Sequence, residues 1–137
     1  VFKRIIWYLF LLVGIAVSIY TYREYNRKPA DLLDSKPAFT VAAAELVREF
    51  ETDEAAANKK YLNKIIQVSG PISSLSSQQD TAIIVAIGDE NQQVGCVLNK
   101  KYAAIIGRYK ISSLIKIKGI CTGYLMDVEL NRCVIVE

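Results

Sequence analysis

Two periodicities divide this chain, and an aperiodic apolar stretch precedes both. From Ile5 to Tyr22 the run IIWYLFLLVGIAVSIYTY carries no charge. As a helix rising about 1.5 Å per residue it reaches about 27 Å, close to the hydrocarbon thickness of a bilayer. Lys3 and Arg4 bracket one end, and Arg23, Arg27 and Lys28 the other. Further on, TVAAAELVREF places Ala43, Leu46, Val47 and Phe50 at i, i+3, i+4 and i+7, with Glu45, Arg48 and Glu49 on the other side. That pattern predicts an amphipathic helix, N-capped by Thr40. A second short helix, DEAAANKKYLNK, starts at Thr52 or Asp53. Its acids stand at the end where the helix dipole favours negative charge, and Lys59, Lys60 and Lys64 stand near the other.

From Ile65 the period shortens to two. IIQVSGPISSL predicts a strand, bent or bulged at Gly70-Pro71. TAIIVAIG and QVGCVL predict a second and a third, the latter with Val94, Cys96 and Leu98 on one face. NKKYAAIIGRYK interrupts with a helical pattern that stops at Gly107. SSLIKIKGIC is a fourth strand, Ile115 and Ile117 inward and Lys116 and Lys118 outward. MDVELNRCVIVE is a fifth, bulged before Cys133.

Three strands, a helix and two strands is the order of an OB-fold, a five-stranded Greek-key barrel with the helix closing one end. The expected class is mainly β (α+β): residues 1–28 a membrane anchor, 29–39 a stalk interrupted by Pro29 and Pro37, and 40–137 the barrel with its helical extension. In such a barrel the third and fifth strands lie side by side in parallel, which brings Cys96 and Cys133 together as a candidate disulfide. Cys121 with Cys133 is disfavoured, since a hairpin through residues 122–125 sets Cys133 nearer Ile115 than Cys121. Buried thiols are the plainer reading of all three.

The apolar run fits an anchor better than a signal peptide. It exceeds the usual apolar core of about 7–15 residues, and no A-x-A pattern follows it. No cysteine stands near its end for lipid attachment. Trp7, Tyr8, Tyr20 and Tyr22 flank it, as rings do in the headgroup zone. Gly14 and Ser18 are spaced to seat a partner helix. Orientation stays open: the basic residues after the run outnumber those before it, favouring a cytoplasmic C-terminal domain, whereas the short leading tail favours the opposite.

Net charge is +3, yet from Pro29 onward 12 Lys/Arg face 13 Asp/Glu. The positive excess surrounds the apolar run rather than the folded domain, unlike a protein built to neutralise phosphates. The chain has no histidine. That removes Ser-His-Asp and Cys-His catalysis and His-ligated metals. Three cysteines without a CxxC offer no metal motif.

Two stretches resemble a known family. They are Phe50 to Gly70, FETDEAAANKKYLNKIIQVSG, and Ile115 to Val136, which contains K-G-x-C-T-G-x-L-x-D-V-x-L-x-x-C. Together they resemble the tRNA-anticodon-like OB-fold domains, small bacterial proteins found as lipoproteins or behind signal sequences, across about Thr40 to Val136. The resemblance implies an extracytoplasmic setting, which would permit a disulfide, and implies no catalytic motif. The chain departs from the lipoprotein members in lacking a lipid-attachment cysteine.

Single residues have plain and sharp readings. Asp53, Glu54, Asn58, Lys60 and Tyr61 read as capping and docking before they read as a ligand cluster. Asp127 reads as a turn acceptor before a cation ligand. Lys100, Lys101, Arg108, Lys110, Lys116 and Lys118 form a candidate anion-binding patch, or simply solvated lysines and arginine. The second and third strands carry no aromatic residue on which bases could stack. The expected function is therefore non-enzymatic, with no cofactor or metal. It is a membrane-tethered, periplasmic interaction module that binds a protein partner or joins a membrane complex. A ligand-binding domain for nucleic acid, oligosaccharide or anionic lipid headgroups is the alternative.

Overall fold

The barrel begins where the period changes. The computed structural model describes residues 2–25, 32–78 and 82–136. Contacts divide the chain into two units, Val1–Ala30 and Asp31–Glu137. The first is helix α1 (Phe2–Tyr25), whose segment Arg4–Arg23 is long and apolar enough to cross a membrane and is exposed throughout.

In the second unit, β1 (Phe39–Ala42) leads into α2 (Ala43–Thr52) and α3 (Glu54–Tyr61). The barrel strands follow: β2 (Ile65–Gln78), β3 (Ala82–Asp89), β4 (Gln92–Asn99), β5 (Leu114–Tyr124) and β6 (Val128–Val136). A 3-10 turn (Lys100–Tyr102) and the short α4 (Ala103–Ile106) join β4 to β5. The sheet runs β1-β2-β3-β4-β6-β5 and closes through β2–β5, a five-stranded OB barrel with a sixth strand outside it.

One strand turns the corner. The first half of β2 pairs with β5, from Ile65↔Ile120 to Pro71↔Leu114, and the second half with β3, from Ile72↔Ile87 to Gln78↔Ala82. The irregularity expected at Gly70-Pro71 falls between Ile72 and Ser74, just past this handover. The parallel seam joins β4 to β6, with Val94↔Val128 and Leu98↔Cys133, and its register slips at the bulge before Cys133. Gly88 holds φ +124°, and a side chain there would strike the Gln92 carbonyl, so glycine is what lets β3 turn tightly into β4.

Period-two burial fills the interior. Val85, Ile87, Val94, Cys96, Leu98, Ile115, Ile117, Val128, Leu130 and Ile135 are all buried. Leu46, Val47 and Phe50 of α2 cover the end where β4 starts, packing mainly on β4. Tyr102 and Ile106 cover the end where β4 finishes.

Three local expectations are corrected. Thr40 does not cap a helix: Phe39–Ala42 pairs in parallel with Ile66–Ser69, α2 starts at Ala43, and Ala42 precedes it without a side-chain cap. A ladder of backbone bonds to β2 outweighs one capping bond. The last hairpin turns at Leu125–Asp127, later than expected, and bulges offset its register. Cys133 therefore lies beside Gly119 rather than Ile115. A Cβ at Gly119 would sit 2.6 Å from the Cys133 sulfur, so the missing side chain makes room for it. Finally, Lys118 points outward but is only 6% exposed. Its ammonium donates to the carbonyls of Leu33 (3.0 Å) and Ser35 (2.9 Å), because the chain leading into the domain crosses that face.

Candidate interaction surfaces

The outer face of β2, β3 and β4 follows from the same alternation. With Val85, Ile87, Val94, Cys96 and Leu98 inward, the residues between them turn out. Register aligns Ser76 with Ile84 and Ile84 with Val97, then Ser74 with Ala86 and Ala86 with Gly95. The result is a patch of small apolar and hydroxyl side chains, half-buried to exposed except for Ala86 at 8%, with no ring and no charge at these six positions. Lack of aromatics is its plainest signal in the sequence; its full make-up is written in the outward half of the same strands.

The candidate anion patch is split. Lys100, Lys101, Arg108, Lys110 and Lys116 are exposed and gather at the end where β4 finishes and β5 begins. Lys118 is withdrawn from them by its two carbonyl partners.

The cluster on α2 and α3 centres on Glu49, which the sequence pattern does not single out, while the Asn58 Oδ1 beside it is buried without a partner. Glu49 accepts bonds from Lys60 at 3.0 and 2.8 Å and from the Tyr61 hydroxyl at 3.1 Å. The Lys60 hydrogen bond holds the Glu49 carboxyl below its usual range, and the same bond raises Lys60. Burial raises the Tyr61 phenol. Lys60 also lies 4.7 Å from the Tyr61 ring centre, and Tyr61 meets Phe39 of β1 edge-on at 5.2 Å. Asp53 caps α3, accepting from the Ala56 N–H at 3.0 Å. Together these contacts tie α2, α3 and β1 into one block. An i, i+11 relation between Glu49 and Lys60 is the signal for it, legible once two antiparallel helices are assumed.

All three cysteines are buried free thiols. Cys96 and Cys133 meet across the β4–β6 seam, Cys96 donating to the Val94 carbonyl at 3.9 Å and Cys133 to the Leu130 carbonyl at 3.3 Å. The nearness of Cys133 together with burial pushes the Cys96 thiol well above its usual range. Cys121 stands apart on β5, raised by burial alone. On α1, Gly14 and Ser18 lie one turn apart on one exposed side, and a Cβ at Gly14 would meet nothing within 4 Å.

Comparison with known proteins agrees with the barrel. A family model described as tRNA_anti-like matches residues 1–135. No match was found among curated proteins. Among solved structures, the chain is similar to a "putative nucleic acid-binding lipoprotein" from Klebsiella pneumoniae subsp. pneumoniae. That match has 20% identity and a TM-score of 0.61, over 81% of this chain and 100% of the other. It is also similar to part of a "putative aspartyl-tRNA synthetase" from Leishmania major, at 12% identity and a TM-score of 0.51, over 74% of this chain and 21% of that one. At these identities both show the fold alone.

Proposed function

The chain belongs to the tRNA_anti-like family, and on that footing we propose a non-enzymatic OB-fold module that binds a protein partner through the outer face of β2, β3 and β4. In this reading α1 anchors it in a bacterial inner membrane with the barrel on the periplasmic side, and Gly14 and Ser18 seat a partner's helix. The observation that carries it is the make-up of that face: Ser74, Ser76, Ile84, Ala86, Gly95 and Val97. Single-stranded nucleic acid is held by aromatic stacking, about 1–3 kcal/mol per base, and by cations along its backbone. These six positions offer neither. An uncharged patch centred on Ile84 and Val97, with hydroxyls along one edge, matches the charge-depleted core of a protein interface instead. The lipoprotein relative supports the membrane address.

A photo-crosslinking residue placed at Ile84 or Val97 of the full chain in its native membrane tests the reading. One discrete protein adduct, surviving a high-salt wash and absent when the probe sits at Thr122, is the expected result. No adduct at either site sinks it. Nucleic-acid binding is the second reading, favoured by the relative's description and by the basic end of the barrel. Steeply salt-dependent capture of a fluorescent oligonucleotide by the purified chain would put it first.

A further inference from the structure

From Asn91 to Met126 the chain contains six Lys/Arg and no Asp or Glu. The fold gathers most of that charge at one end. Lys101 follows β4 directly, Arg108 and Lys110 follow α4, and Lys116 is the third residue of β5, paired with Val136 at the finish of β6. All four are exposed. Between them stand two large aliphatic side chains that the core does not use, Ile111 at 55% and Leu114 at 79% exposure. The described residues of this end, from β2 (74–77), β3 (82–84) and the connection 99–114, include no acidic side chain.

The opposite end makes the contrast. The hairpin tips there, aligned by Val94↔Val128, carry Asp89, Glu90, Asp127 and Glu129. They too expose aliphatic side chains, Leu125 at 84% and Met126 at 90%. Exposed apolar surface alone therefore does not distinguish the ends. Charge does.

We propose that the α4 end of the barrel docks on anionic lipid headgroups, with Ile111 and Leu114 entering the interface and Lys101, Arg108, Lys110 and Lys116 meeting the phosphates. A basic rim around protruding aliphatic groups is the chemistry of a peripheral membrane contact. Each basic side chain near an anionic leaflet adds attraction that fades within a Debye length. Nucleic acid would use the same cations but gains nothing from Ile111 and Leu114, which cannot stack on bases. The inference rests on the proposed function only in that the barrel works beside a bilayer.

The test uses the full chain in lipid nanodiscs, in a Trp7→Phe background, with a single tryptophan at either Leu114→Trp or Leu125→Trp. Brominated phospholipids report contact by quenching. The expected result is quenching at 114 about two-fold or more stronger in discs containing phosphatidylglycerol than in pure phosphatidylcholine, falling at high salt, with no such difference at 125. Lys110→Glu combined with Lys116→Glu should abolish the difference while leaving the thermal melt unchanged. Equal quenching in both lipids, quenching at 125 instead of 114, or an emission shift at 114 only with added oligonucleotide would each overturn the proposal. Chain that stays out of the discs sinks the anchor reading separately. Brominated phosphatidylglycerol vesicles added to that chain should still quench at 114 and spare 125; no quenching at 114 there would overturn the docking proposal as well.

Discussion

Two outer faces of one barrel have met opposite fates. On β5, the outward Lys118 is buried beneath residues 32–36 and gives its ammonium to two backbone carbonyls. On β3 and β4, the outward Ile84, Gly95 and Val97 are half-buried, with the small Ala86 between them 8% exposed. The apolar Ile84, Gly95 and Val97 keep partial access to solvent while the cationic Lys118 loses it, the reverse of what hydropathy suggests. Alternation decides which way a side chain points. Whether solvent reaches it depends on a segment more than eighty positions away.

The walls behind these faces are also held differently, and four perturbations separate them. The largest concerns the seam behind the apolar face. In an oxidising compartment Cys96 and Cys133 are expected to join as a disulfide, giving up two electrons to a thiol-disulfide oxidant. Closing a loop of this size is worth about 4 kcal/mol. Differential alkylation of the acid-quenched chain should then find Cys121 alone unlinked, and reduction should lower the denaturation midpoint. Equal alkylation of all three thiols sinks this expectation.

Next comes the latch on the covered face. Lys118→Met keeps the side chain's bulk but leaves the Leu33 and Ser35 carbonyls without their donor, at a cost of about 2 kcal/mol. Urea unfolding should show the loss, and limited proteolysis should show faster cleavage within residues 32–38. An unchanged cleavage rate would mean that the packing of Leu32, not the ammonium, holds the segment.

A smaller effect belongs to the helical block that neither face uses. The folded Glu49 carboxyl lies below its ordinary value of 4.5, so its contribution is present above that pH and lost as pH falls through the lower folded value. Glu49→Gln should lower the melting temperature by only about a degree or two at pH 7, since the pair is largely solvated. It should also flatten the acid limb below about pH 4.5. A melting curve whose acid limb matches the parent's would reject this assignment.

The smallest effect on stability belongs to the apolar face itself. Ile84→Lys should change unfolding free energy by no more than about 0.5 kcal/mol, while removing the crosslinked partner. A large destabilisation would show that Ile84 supports the core rather than a contact.

The barrel was largely legible because its strands alternate over runs long enough for period two to declare itself, from Ile65 to the end. The β4–β6 neighbourhood of Cys96 and Cys133 followed from strand order alone. What escaped depended on pairing between distant segments. Phe39–Ala42 reads locally as the approach to a helix, and becomes a strand only because β2 offers it a partner edge. Lys118 reads as a solvated lysine until residues 32–36 cover it. Glu49 reads as one charge on a polar helix face until the α2–α3 turn brings Lys60 and Tyr61 to it. The basic end was visible as separate residues, but its coincidence with Ile111 and Leu114 needed the connection between β4 and β5 to be placed.

The latch and β1 also define how the barrel responds to tension. A pull applied through the segment preceding Leu32 reaches the two Lys118 bonds first and then β1. A pull directed along β1 would load its ladder to β2, from Phe39↔Ile66 to Ala42↔Ser69, in shear, so that those bonds share the strain instead of parting one at a time.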